Sequence, residues 1–245
     1  MEIILKSLLF GLFAGFIINY LADSLPHQRR LVAPLCNHCG KGLSLLDYLT
    51  LQQCSNCKSR RQVRSAFVFA IGILATYWIQ VYPVRMGFWL SWLVFVLFGV
   101  IAIIDIEYRV VLFEIVISCG SVFLVIGVVR HGVLSTLLGG LIGFLVMWGL
   151  YWFGKVVIKL RNKASSFEEE ALGFGDVNLF AILGLLLGFP VILAALWIAI
   201  FSAGVFSLLL VMRMLLIKQY RSNMAIPYAP FLIFGAFVLL YLVRA

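Results

Sequence analysis

Eight apolar runs, at residues 3–22, 65–83, 86–106, 111–129, 133–158, 177–189, 191–212 and 228–243, constrain this chain more than any other feature. Most approach the roughly 20 residues a helix needs to cross about 30 Å of hydrocarbon. With 64% hydrophobic and 12% charged residues over a length of 245, a soluble fold around one core is excluded. The expected fold class is an all-α polytopic membrane protein with about eight transmembrane helices. The first run reads as a retained span: it is too long for the apolar core of a signal peptide, and no small-x-small site follows it. The sixth run is short and is followed by Gly188, Phe189 and Pro190. These residues make either a tight turn between two spans or a kink in one long helix, which would leave seven spans.

Orientation follows from the basic residues. With eight spans and the N-terminus outside, fifteen of the 19 Lys and Arg fall in cytoplasmic loops, leaving Lys6, Arg85, Arg130 and Arg244 elsewhere. This is the positive-inside pattern. The net charge of +9 therefore reports topology and contact with anionic lipid, and no nucleic-acid partner is expected. Two polar segments remain: a cytoplasmic insert at 23–64, and the loop 160–175 with its acidic run Glu168–Glu170. That run reads as a solvated helix start ahead of a binding patch for basic segments.

The insert holds "CNHC" at 36–39 and "CSNC" at 54–57, two Cys-x2-Cys pairs separated by fourteen residues. Cys36, Cys39, Cys54 and Cys57 suit a tetrahedral structural zinc site that staples a segment too small for its own core. Two disulfides or a redox pair are the alternative, and cytosolic placement argues against stable disulfides. His38 reads as a spectator, and Cys119 as a small apolar residue within a span.

Four aspartates occur in the chain. Asp47 lies in the insert, and Asp23 closes the first span as a boundary marker. Asp105, in "AIIDIEYR", falls at the cytoplasmic end of the third span; Asp176, in "GFGDVNLF", opens the sixth on the same side. Two carboxylates sharing one water also share a proton. The ionised acid then deprotonates the water while the protonated one polarises a peptide carbonyl. Gly173 and Gly175 leave room for backbone and substrate beside Asp176. The bland alternative is helix capping. It accounts for Asp176 near a helix N-terminus but not for Asp105 near a C-terminus. Asp23, Glu107 and Glu114 are competing acids, with Glu114 expected deeper in its span and within reach of Arg109.

Taken together, these residues resemble the type IV prepilin peptidases, membrane aspartic proteases with a Gly-x-Gly-Asp motif. The likeness runs from "GFIINYLADSLP" at 15–26, with Gly15, Asn19 and Pro26, through the paired cysteines, "IDIE" at 104–107 and "GFGDVNL" at 173–179, to "IPYAP" at 226–230. It implies that Asp105 and Asp176 are the catalytic pair. It further implies that the substrates are prepilins or pseudopilins, cut at the cytoplasmic face of the bacterial inner membrane and passed to type IV pilus or type II secretion machinery. Many members also methylate the new N-terminus with S-adenosylmethionine, and the cysteine insert is associated with that activity. The chain departs from the family pattern at Leu112, Phe113 and Glu114, at Asn178, at "RQVRSA" in 61–66 and at Ala229.

The expected organisation is a first transmembrane helix at 1–22, the four-cysteine insert at 23–64 and a transmembrane peptidase domain at 65–245. Two other classes are open: a non-catalytic membrane assembly factor that binds pilins, and a small transporter using the two aspartates as a proton relay.

Overall fold

The computed structural model describes residues 2–28, 39, 42, 56–58, 63–82, 86–161, 173–217 and 227–243. Every regular element among them is helical: α1 (Glu2–Gln28), α2 (Val63–Val81), α3 (Gly87–Tyr108), α4 (Phe113–Arg161), α5 (Phe174–Leu187), α6 (Val191–Leu216) and α7 (Ala229–Phe237), continued by a π-helical turn (Val238–Leu242). Five stretches are long and apolar enough to cross a membrane: Glu2–Pro26, Arg64–Val81, Gly87–Tyr108, Phe113–Leu160 and Val191–Leu216. Phe174–Leu187 and Ala229–Leu242 are shorter apolar helices. The chain is thus a multi-pass membrane protein. Each of the eight apolar runs contains a helical stretch among the described residues, and length and composition support membrane crossing for these five. The chain divides into two compact units, Met1–Tyr108 and Arg109–Ala245.

In the first unit α1 packs on both α2 and α3. The α1–α2 contact is close because glycines line it. A Cβ on Gly11 would lie 2.4 Å from the Ile73 Cα, and one on Gly72 would lie 2.7 Å from the Gly11 carbonyl oxygen. Small residues allow this backbone approach where lipid supplies no hydrophobic drive between helices. The Asn19 amide donates to the Gly15 carbonyl at 2.9 Å and to the Ser65 carbonyl at 3.4 Å, fixing the first turn of α2 against α1. At the other end, Phe10 meets Phe88, Trp89 and Trp92 edge-on, and Trp92 Nε1 donates to the Phe10 carbonyl at 3.2 Å. Helix α1 does not stop at residue 22 but runs on through Pro26 to Gln28, so Asp23 lies within it.

The second unit is organised by a fold-back. Helix α4 has 49 residues, interrupted at Gly132 (φ 80°, ψ 165°), a backbone conformation glycine reaches without strain. A Cβ on Gly127 would lie 3.0 Å from Thr136 Oγ1. A straight helix would separate those residues by about 13 Å. The limbs 113–131 and 133–161 therefore run antiparallel, as the two separate apolar runs predict.

Helix α5 packs against both limbs: Gly120 faces Ile182 on one side, and Gly139 and Gly140 face Gly184 and Leu185 on the other. Its sequence is apolar on every face, and such a helix is stable only when surrounded. Val177, Leu179, Phe180, Leu183 and Leu186 are fully buried.

The chain then turns at Gly188 (φ 71°) and Pro190. The turn is held by Phe189 N–H donating to the Ser135 carbonyl at 3.0 Å, while Ser135 Oγ donates to the Phe189 carbonyl at 2.9 Å. A Cβ on Gly143 would touch both Phe180 O, at 2.9 Å, and Ile192 Cγ1, at 3.5 Å. In one continuous helix those two residues would be about 18 Å apart. The tight-turn alternative thus describes this segment, and the kinked single helix does not. Helix α7 seats Gly235 on the Ala195 carbonyl of α6, where a Cβ would lie 2.3 Å away.

Candidate active site

Asp105 lies in the last turn of α3 and is buried, with 5% exposure. Ile101 and Ile104 are buried beside it on the same helix, and Glu107 follows two residues later. A carboxylate here sits at the negative end of the helix dipole and away from water. The dipole opposes an acid at this end of a helix, so helix capping does not account for its position.

Asp176 is the third residue of α5 and is also buried, with 8% exposure. Its backbone N–H donates to the Gly173 carbonyl at 3.1 Å, closing the first turn. The dipole favours an acid at this end. The first unit carries one aspartate and the second unit the other.

The two motif glycines differ. A Cβ on Gly175 would come within 2.9 Å of Val111 Cβ, so only glycine lets the opening turn of α5 lie against the segment preceding α4. Gly173 is the N-cap with an ordinary extended backbone (φ −71°, ψ 141°). Among the described residues its Cβ would meet nothing closer than Asp176 Oδ2, at 3.7 Å. Space, not backbone strain, is what Gly173 leaves beside the carboxylate.

Tyr228 caps the start of α7, with Pro230 in that helix's first turn. It is half-buried, and burial first, then the Asp176 carboxylate, push its phenol above the usual tyrosine range. The sequence singled out Pro227 and Pro230 of "IPYAP" and passed over the tyrosine between them. Nothing local marks Tyr228, because its relation to Asp176 spans about fifty residues of chain.

The competing acids are accounted for. Arg64 Nη2 donates to Asp23 Oδ1 and Arg64 Nη1 to Glu107 Oε2. Asp23, expected as a boundary residue, is instead part of a buried ion-pair network within α1. Glu114 is not deep in a span: it is the second residue of α4 and exposed, where the dipole favours an acid.

Of the proposed zinc ligands, Cys39 is exposed and Cys57 half-buried, whereas Cys36 and Cys54 lie outside the described residues. Among the described residues no group of three or more His, Cys, Asp or Glu could hold a metal. Cys119 is buried in α4 with 1% exposure, as a small apolar residue would be.

The profile of the type IV leader peptidase family matches residues 92–208, a stretch that contains both aspartates and both motif glycines. The chain is similar to the prepilin leader peptidase/N-methyltransferase of Stutzerimonas stutzeri, 28% identical over 88% of this chain and 72% of that protein. It is similar to the proteins of the same name from Pseudomonas aeruginosa, 23% identical over 97% of this chain and 89% of the relative, and from Aeromonas salmonicida, 26% identical over 43% and 32%. No solved structure matches significantly.

Proposed function

We propose that this chain, whose residues 92–208 match the profile of the type IV leader peptidase family, removes the leader of type IV prepilins or pseudopilins with Asp105 and Asp176 as a catalytic pair. The observation that carries this reading is that both acids are buried at helix ends within the family-matched segment. The dipole opposes an acid at the C-terminal end of α3 and favours one at the N-terminal start of α5. That asymmetry gives the two roles the reaction needs. Ionised Asp176 accepts a proton from the attacking water, and protonated Asp105 donates a hydrogen bond to the scissile carbonyl as negative charge develops there.

The cytoplasmic face of the inner membrane is the proposed site of cutting, a reading supported by the positive-inside pattern of the basic residues. N-methylation of the trimmed subunit from S-adenosylmethionine is proposed as a second activity, on the printed names of the relatives. The four cysteines are proposed to hold a structural zinc ion in the insert.

The test is incubation of the purified chain and its Asp105→Asn and Asp176→Asn variants with a candidate prepilin, followed by mass spectrometry of the substrate's N-terminus. Cleavage by the wild type and loss in both variants supports the reading. Undiminished cleavage in either variant overturns the pair. Pilus assembly that survives both substitutions would instead identify an assembly factor, and loss of proton-coupled flux a transporter.

A further inference from the structure

The first unit contains a buried ionic cluster that the proposed chemistry does not use. Arg64 is the second residue of α2, Glu107 the penultimate residue of α3, and Asp23 lies on α1. One guanidinium bridges both carboxylates, so a single side chain joins the three helices described in this unit. The three side chains are 13%, 6% and 21% exposed for Arg64, Asp23 and Glu107, so this is not a solvent-screened surface pair. Two of the charges stand at the wrong helix ends. Arg64 is a cation at an N-terminus and Glu107 an anion at a C-terminus, and the dipole opposes both. Their mutual pairing offsets those placements.

The cluster also fastens a specific turn. Asp105 lies two residues before Glu107, within the final turn of α3, and the next residue after the helix, Arg109, has a positive φ of 54°. Helix ends fray unless something holds them. The Glu107–Arg64 contact holds this one, and the Asn19 bond to the Ser65 carbonyl fixes the turn of α2 that presents Arg64.

We infer that Arg64 is a positioning residue for the peptidase reaction: by bridging Asp23 and Glu107 it holds the last turn of α3, and so the backbone that carries Asp105. The inference rests on the reading of Asp105 as a catalytic acid. It assigns Arg64 no contact with substrate.

The experiment measures kcat and KM for prepilin cleavage by the full chain in detergent, with a thermal melt of each variant. Arg64→Met is expected to lower kcat by about 10- to 100-fold, the scale of a small misplacement of a reacting group, with KM within about 2-fold of wild type. Arg64→Lys, which keeps one charged donor, recovers most of that loss. Glu107→Gln lowers kcat in the same way, and the double variant Arg64→Met with Glu107→Gln is no worse than the poorer single one. Wild-type kcat in Arg64→Met, a change in KM alone, or single losses that multiply in the double variant would each overturn the inference. Should Arg64→Met fail to fold, Arg64→Lys and Glu107→Gln decide by the same split between kcat and KM. Asp105→Asn separates the two levels. If it still cleaves, the catalytic reading fails; if it is inert while the Arg64 variants match wild type, only the positioning role fails.

Discussion

Gly139 and Gly184 meet backbone to backbone: a Cβ on Gly184 would lie 2.2 Å from the Gly139 carbonyl oxygen, and one on Gly139 would lie 2.4 Å from that of Gly184. Neither obstacle is a flexible side-chain end, so a methyl group at either position forces α5 away from the 133–161 limb. Gly184→Ala is expected to cost about 1–3 kcal/mol, the range for overpacking a filled interior. Thermal unfolding in detergent checks it, and an unchanged melting temperature would count against the close contact.

Removing either proposed catalytic acid by an isosteric change should leave the fold intact and the chemistry lost. Asp105→Asn and Asp176→Asn are each expected to reduce cleavage by at least about 100-fold, since acid–base catalysis commonly contributes that much or more. Binding of the prepilin, measured by co-purification, should persist.

The two motif glycines predict unequal responses. Gly175→Ala drives a methyl group to within 2.9 Å of Val111 Cβ and must displace the opening of α5, so prepilin cleavage should fall about 10-fold or more. Among the described residues Gly173→Ala meets only ordinary contacts, so it should fold normally, with any loss confined to substrate binding. Comparing kcat and KM for the pair checks this.

Tyr228 offers a titration test. Its phenol is raised by burial and then by the Asp176 carboxylate, so both keep it neutral at pH values where an ordinary tyrosine ionises. Asp176→Asn removes the negative charge but not the burial. The Tyr228 midpoint should therefore move down without returning fully to about 10. The ultraviolet difference between each protein and its Tyr228→Phe derivative reports that midpoint.

Metal content tests the insert. Purified protein is expected to carry zinc by elemental mass spectrometry, and Cys36→Ser with Cys54→Ser should abolish it.

Much of this fold is written in the apolar runs, because hydrocarbon demands long helices whatever their packing. The break between the runs at 111–129 and 133–158 anticipates the reversal at Gly132. The turn at Gly188 and Pro190 is equally legible, since both residues punctuate helices. Asp105 and Asp176 stood out because a lone carboxylate at an apolar boundary needs a reason. The Asp23–Arg64–Glu107 cluster did not. Its members lie more than forty residues apart, and each alone reads as a loop charge or a span boundary. The same holds for the end of α1: a charge at residue 23 signals the close of a span, yet pairing with Arg64 lets the helix continue to Gln28. Tyr228 was hidden for the same reason, because helix packing rather than local pattern relates it to Asp176.

Helix α5 has only 14 residues, and Phe174 at its start is the one residue in it that is substantially exposed. At about 21 Å it is shorter than the hydrocarbon layer, a mismatch that would ordinarily make a helix tilt or the bilayer thin. Enclosed between the two limbs of α4, it has almost no lipid to match. The depth of Asp176 is therefore set by its protein sheath, and its setting should tolerate a change in acyl-chain length that would disturb a lipid-facing helix of the same size.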